Sequence, residues 1–327
     1  MSNPERDGAE VECGADGQHG GVEVITPREV PLGGPRAMTV RRTLPARGRS
    51  MIGAWCFLDH YGPDEIAETG GMVVPPHPHT SLQTVSWLFS GEIEHRDSTG
   101  AHAMVVPGEL NLMTAGHGVC HSEVSTDRTD ILHGVQLWTA LPAEHADVDP
   151  AFEHFAPEPV PVGGARVSVF LGELGLPGGT RASSPVTTYT SLLGAEIVLD
   201  PDASLTIDVD TTHEHGILLD EGVLTCRGAD LASAELLHIA PGPDALTLTA
   251  GSDGARVILL GGPPFGEQIV MWWNFIGRSH EDVVRAREQW QDELGHDADG
   301  RYGSFDYPDG DSLPAPDLPH VRLRPRG

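Results

Sequence analysis

Two short spacings constrain this chain more than any other feature. His77 and His79 stand two residues apart, and so do His121 and Glu123. On a β-strand, residues i and i+2 project to one face, so each pair offers two side chains on the same side. Two neighbouring strands, each with two inward ligands, can close around a single metal ion. Three imidazoles and one carboxylate suit a first-row divalent metal.

The flanking residues agree with this reading. Pro75-Pro76 precede the first pair, and Thr80 to Phe89 then reads as strand. The second pair follows Thr114-Ala-Gly-His-Gly-Val119, a glycine-rich turn that lets the backbone bend sharply before His121. Cys120 and Ser122 alternate to the opposite face, which makes Cys120 a poor ligand for the same ion. With 17 histidines in the chain, one His-x-His would arise by chance. Two pairs on β runs, the second after the Pro107-Gly108 turn, are far more specific. His19, His145, His154, His296 and His320 read as surface residues.

The chain has 327 residues, room for two cores of ordinary domain size. Its 40 glycines and 27 prolines favour many short elements joined by tight turns. Apolar runs broken by Gly and Pro, such as Thr84 to Phe89 and Ile131 to Trp138, read as antiparallel strands. The expected organisation is a disordered arm over residues 1–20 and a metal-binding β-domain over 21–142. A proline-rich linker follows over 143–161, then a second β-domain over 162–276. A helix and an acidic Pro/Gly-rich tail occupy 277–327. Ser279 is the expected helix N-cap, with Asp282 three residues on and Val283, Arg287, Trp290 and Leu294 at helical spacing. Tyr302, Phe305 and Tyr307 would let the tail pack as a strap, with a loose tail as the alternative.

A weak repeat links the two β blocks. Gly91, Pro107-Gly108 and Ala115-Gly116 find counterparts in Gly222, Pro241-Gly242 and Ala250-Gly251. Two copies of one β-barrel is the economical interpretation. His213-Glu-His215 looks like a duplicate metal pair, but the register argues against it. The positions matching His77 and His79 are Asp208 and Asp210, and those matching His121 and Glu123 are Arg256 and Ile258. The second domain is therefore expected to hold no metal.

A net charge of −28 repels nucleic acid and membrane surfaces, so neither is an expected partner. Four cysteines without a Cys-x-x-Cys pair suit a reducing compartment. No apolar segment of signal-peptide type opens the chain, and nothing approaches a membrane span, so a cytoplasmic protein is expected.

At the level of motifs the chain resembles the pirin family of the cupin superfamily. The resemblance is carried by Phe57-Leu-Asp-His-Tyr-Gly-Pro63, Pro76-His-Pro-His79, Thr84-Val-Ser-Trp87, Gly91-Glu-Ile-Glu-His-Arg-Asp-Ser98, Met113-Thr-Ala-Gly116 and His121-Ser-Glu123. Leu259 to Phe265 and Met271 to Phe275 look like a bacterial pirin-like subgroup. The resemblance implies an all-β bicupin: two cupin β-barrels or sandwiches face to face, with metal only in the first. The ligands it implies fall on His77, His79, His121 and Glu123. The metal is usually iron, here expected as Fe(II), with Mn, Zn, Cu, Ni and Co as alternatives.

Family members are associated with quercetin 2,3-dioxygenase-like activity and, in animals, with transcriptional co-regulation. The leading expectation is a metal-dependent dioxygenase acting on an enol or flavonol-like substrate with O2. Glu123 would be both ligand and proton acceptor. The alternative is a non-catalytic, redox-sensing regulator that binds a protein partner. His95, His117, His133 and Gln136 are candidates to support the ligands. His60 and Asp97 read as structural. Trp87, Phe89, Trp138 and Met113 are candidates for an apolar wall above the metal.

Overall fold

The computed structural model describes residues 21–32, 38–294, 300–308 and 310–327. The expected disordered arm over residues 1–20 lies outside them. The fold is all-β, with two cupin domains packed face to face, each an open sandwich rather than a closed barrel.

The first domain pairs a seven-stranded with a four-stranded sheet. The larger runs in the order Ala151–Phe155, Leu110–Thr114, Leu82–Ser90, Ile131–Ala140, Trp55–Glu65, Thr39–Leu44, Arg28–Pro31. The smaller runs Val73–His79, Val119–Ser125, Ile93–Asp97, His102–Val105. The second domain is built on one eleven-stranded sheet. Its Ala245–Gly262 strand pairs with Ser204–Asp208 along its first half and with Leu193–Leu199 along its second.

The two domains lean on each other through apolar side chains of their large sheets. Val85 and Trp87 of Leu82–Ser90, with Leu58, Val135 and Leu137, meet Phe170, Leu218, Ile258 and Leu260 of the second domain. At about 25 cal/mol per Å² of apolar surface removed from water, this shared core holds the domains together. Trp87 also donates its indole N–H to Glu196 Oε2 at 2.8 Å.

Chain order and domain membership part company at the edges. Val22–Ile25 reads from sequence as part of the first domain, yet it pairs with Leu236–Ile239 of the second. The proline-rich stretch 143–161 contains two strands. Ala151–Phe155 closes the edge of the first domain beside Leu110–Thr114, and Val160–Val162 opens the second beside Ala165–Leu171. Alternating hydrophobicity identifies a strand without naming its neighbour.

The late helix spans His280–Glu293, and Ser279 and Asp282 close a reciprocal capping box on it. Its buried face is Val283, Ala286 and Trp290, which pack on Trp272, Trp273, Phe275, Tyr302 and Cys120. This assembly sits on the first domain: Phe275 bridges to Thr80, and Leu313 N donates to the Pro76 carbonyl. Tyr302 is fully buried, with its hydroxyl on the Ala286 carbonyl. The described part of the tail thus packs as a strap over the outer face of the strands that hold the histidines.

Candidate metal centre

The four-stranded sheet positions the site. Val73–His79 and Val119–Ser125 are antiparallel neighbours, with His121 opposite His77. The register slips between His121 and Glu123, so that Glu123 lies opposite Val74. Pro75 and Pro76 have no N–H to give the ladder, so the extra residue falls there. The slip falls outside both i, i+2 pairs, so each pair keeps a shared face.

The three imidazoles converge. Ring centroids are 4.3 Å apart for His77 and His121, and 5.0 Å apart for His79 with either. One donor nitrogen from each lies within 4.8 Å of the others, and His95, His121 and Glu123 form an overlapping trio within the same limit. His77, His79, His121 and Glu123 are all 0% exposed.

Backbone carbonyls orient two of the rings. His77 Nδ1–H donates to the Pro75 carbonyl at 2.9 Å, and His79 Nδ1–H donates to the Asn274 carbonyl at 3.0 Å. A carbonyl only accepts, so each proton sits on Nδ1 and each Nε2 keeps its lone pair. Both Nε2 atoms, and both ring nitrogens of His121, are buried without a hydrogen-bond partner. Buried polar atoms are ordinarily paired, so this convergence of bare nitrogens fits a cation site. Burial pushes all three imidazoles well below their ordinary pKa, which keeps them neutral and able to ligate.

Neighbouring side chains hold the rest. Ser86 Oγ lies 3.1 Å from Glu123 Oε1 and 2.9 Å from Gln136 Oε1, one proton between two acceptors. His95 Nε2–H donates to Asp97 Oδ2 at 3.0 Å. Asp97 Oδ1 is fixed by Thr99 N, Thr99 Oγ1 and Ala101 N. The Phe152 ring lies 4.8 Å from His95, and Trp138 stands edge-on to His79 at 5.0 Å, stacked on Phe57.

The structure sorts the remaining sequence candidates. His95 and Gln136 stand beside the ligands, and Trp138 and Met113 share the apolar cluster next to them. His117 is half-exposed near Asp149, away from the site. His133 lies at the domain joint with His60 and Asp220. Trp87 and Phe89 face the second domain, Phe89 under the Arg256 guanidinium. The cause is the alternation of Leu82–Ser90, which turns Ser86 inward and its odd-numbered neighbours Val85 and Trp87 outward.

Ser86 and Asn274 lie in the Thr84–Trp87 and Met271–Phe275 motifs, but nothing in those motifs assigns either one to the ligands. Cys120 points into the helix cluster, and burial pushes its thiol pKa up, as its alternation implied.

In the second domain the strand pair equivalent to the histidine strands is Ser204–Asp208 with Ala245–Gly262. There Leu205 faces Leu248 and Ile207 faces Leu246, all buried in the core. By register, Leu248, Leu246, Ile207 and Val209, rather than Ile258, Arg256, Asp208 and Asp210, match Glu123, His121, His77 and His79. Ala250-Gly251 misleads as an anchor, because that strand runs on through 18 residues. Arg256 instead reaches Asp220, and Ile258 sits in the interdomain core.

Two cupin sandwiches with a histidine-rich centre in the first define a bicupin. The family model for pirin matches residues 37–139, and the model for the pirin C-terminal cupin domain matches residues 194–294. The chain belongs to the pirin family. A Pseudomonas aeruginosa protein named provisionally as a quercetin 2,3-dioxygenase is 43% identical over 296 residues, 90% of either chain. A pirin-like protein of Caulobacter vibrioides is 32% identical over 85% of this chain and 94% of its own.

Among solved structures, quercetin 2,3-dioxygenase from Acinetobacter baumannii superposes with a TM-score of 0.83 at 36% identity, over 92% of this chain and 97% of that one. A bacterial pirin from Escherichia coli in complex with nickel(II) shares the fold, with a TM-score of 0.58 at 19% identity, over 74% of this chain and 99% of that one.

Proposed function

We propose that this pirin is an iron(II)-dependent dioxygenase of the quercetin 2,3-dioxygenase type. It would act on an enol or flavonol-like molecule with O2, with His77, His79, His121 and Glu123 as metal ligands. The observation behind this reading is the convergence of bare, buried imidazole nitrogens beside a carboxylate. The names of the Pseudomonas and Acinetobacter relatives support the substrate class. Three unpaired, buried cysteines (Cys56, Cys120, Cys226) suit a reducing compartment, the cytoplasm.

When bound, iron(II) would supply the positive charge that favours an enolate and the redox partner for dioxygen. The protein's own share is positional. The Pro75 and Asn274 carbonyls fix the tautomers of His77 and His79. Ser86 holds Glu123, whose carboxylate accepts the enol proton. Phe57, Met113 and Trp138 make a dry wall on the His79 side.

The test is O2 uptake with quercetin by anaerobically iron-loaded protein, with elemental analysis to separate iron from nickel, zinc, manganese, copper and cobalt. Uptake should vanish on chelation and in His79→Ala. Unchanged turnover in Glu123→Gln would exclude the proton-transfer role. Complete burial of all four ligands favours one second reading, a redox-sensing regulator that binds a protein partner. Full iron occupancy without O2 uptake, together with oxidation-dependent capture of a partner, would replace the enzyme by that reading.

A further inference from the structure

The carbonyl that orients His79 comes from a turn where glycine is the usual residue. The strands Val270–Trp272 and Phe275–Gly277 form a hairpin closed by the pair Trp272 and Phe275, with Trp273 and Asn274 as its two loop residues. The common two-residue hairpin loops take a positive φ at the first loop position, which glycine adopts at no steric cost. Trp273 holds that position at φ +51°, the only aromatic residue with a positive φ among the described residues. A bulky side chain is disfavoured there and persists where its surroundings impose it. The next residue, Asn274, is 0% exposed and presents its carbonyl to His79 Nδ1 at 3.0 Å.

Those surroundings are the C-terminal helix and strap. Trp273 is buried, stands edge-on to Phe275 at 5.3 Å, and shares a cluster with Val283, Ala286, Trp290 and Tyr302. Trp290 stands edge-on to Tyr302 at 5.4 Å and donates its indole N–H to the Leu313 carbonyl at 2.8 Å. Leu313 N in turn donates at 2.8 Å to the carbonyl of Pro76, the residue before His77. Arg301 Nε donates to the carbonyl of His117, in the turn before His121. The hairpin itself is fastened beside His79. Ile276 N donates to the Thr80 carbonyl at 3.3 Å, and Thr80 Oγ1 donates to the Ile276 carbonyl at 3.1 Å.

Val73–His79 needs such support. It is the edge strand of its four-stranded sheet, with Val119–Ser125 as its one neighbour there. Pro75, Pro76 and Pro78 have no N–H, so at those residues the strand accepts hydrogen bonds and donates none. A ligand strand this poor in ladder bonds takes its rigidity from what packs against it.

We infer that Trp273 is a positioning residue of the metal centre. Its ring ties the turn that carries the Asn274 carbonyl to the helix and strap, so the packing of the C-terminal segment sets the orientation of His79. The inference rests on the reading of His77, His79, His121 and Glu123 as metal ligands. A carbonyl that accepts from the far nitrogen of a ligating imidazole fixes its tautomer and direction, and losing such a partner costs about 10–100-fold in metal affinity. The coupling is reciprocal: the affinity that the packed strap adds, bound metal returns as stability of the strap.

Cobalt(II) titration of the full chain, with proton NMR of the loaded protein, tests this. Each ligating imidazole gives one exchangeable N–H resonance shifted by the paramagnetic ion. Trp273→Gly keeps the turn and removes the ring. It should weaken cobalt binding about tenfold and lose one of these resonances to fast exchange with solvent, the others staying in place. Trp273→Phe keeps an aromatic ring in the cluster and should restore both affinity and resonance. A purely structural role would leave every resonance in place in the loaded protein. That result, or unchanged affinity in Trp273→Gly, overturns the inference. If Trp273→Gly does not fold, hydrogen exchange of the wild-type protein decides. Cobalt should slow the amides of Trp273 and Leu313 more than those of Ser204–Asp208 in the second domain, and equal slowing overturns the inference. Wild-type protein that takes up no cobalt removes the metal centre itself and the inference with it, a failure distinct from the others.

Discussion

Asp220→Ala should cost about 3 kcal/mol of folding stability, the low end of the range for breaking a buried ion pair from one side. Asp220 has a fully buried side chain at the joint between the domains. Its Oδ1 accepts from His60 Nε2 and His133 Nε2, both at 2.7 Å, and its Oδ2 accepts from Arg256 Nε at 2.5 Å. Burial alone would raise its pKa, but the bonds from His133 and His60 outweigh it and hold the carboxyl well below its usual value. Alanine leaves three donors facing nothing. The low end applies because the side chains of His133 and Arg256 keep 10% and 23% of their exposure.

At 2–4 °C per kcal/mol, the melting temperature should fall by roughly 6–12 °C in calorimetry. Glu221→Ala removes a 75% exposed carboxylate from the same arginine and should change stability by less than about 0.5 kcal/mol. The pH dependence is signed. A depressed folded pKa gives stability that is present above the unfolded value near 3.9 and lost as pH falls toward the folded one. The gap between wild type and Asp220→Ala should therefore be flat from about pH 5 to 8, and shrink by about 1 kcal/mol per pH unit below 4. A gap under about 1 kcal/mol at neutral pH, or one that does not shrink in acid, would refute the reasoning.

Three further outcomes are expected. His77, His79, His121 and His215 are all depressed by burial, so the metal-free protein should be most stable above the unfolded value near 6.5 and weaken as pH falls below it. Urea midpoints at pH 8 and 5.5 check this, and an equal or higher midpoint in acid contradicts it. Ser86→Ala removes the hydroxyl that holds Glu123 and should weaken metal binding about 10–100-fold by titration calorimetry; unchanged affinity would remove Ser86 from the site. Gly116 has φ +50°, and a Cβ there would lie 1.8 Å from the Val148 carbonyl oxygen, so Gly116→Ala should cost at least about 1–3 kcal/mol in a denaturant titration.

Much of the fold is legible in the chain because β-structure writes itself in period two. The strands around His77 and His121, the helix capped by Ser279 and the two-domain layout all follow from local pattern and turn residues. The four side chains His77, His79, His121 and Glu123 were also readable, since i, i+2 spacing on a strand fixes a shared face whatever lies around it. Less of the surroundings was readable. Ser86 looks like any strand serine, and Asn274 contributes only a carbonyl, which every residue has.

Membership of a sheet and contact across a joint were decided by tertiary structure alone. Val22–Ile25 crosses to the second domain, and His60 and His133 find Asp220, separated from it by 160 and 87 residues of chain. Which two strand faces meet depends on packing volume and register, and no local window contains both partners. The sequence by itself determined that His77 with His79, and His121 with Glu123, share a strand face. The folded chain decided what orients them, what shields them from water, and which histidines serve other joints.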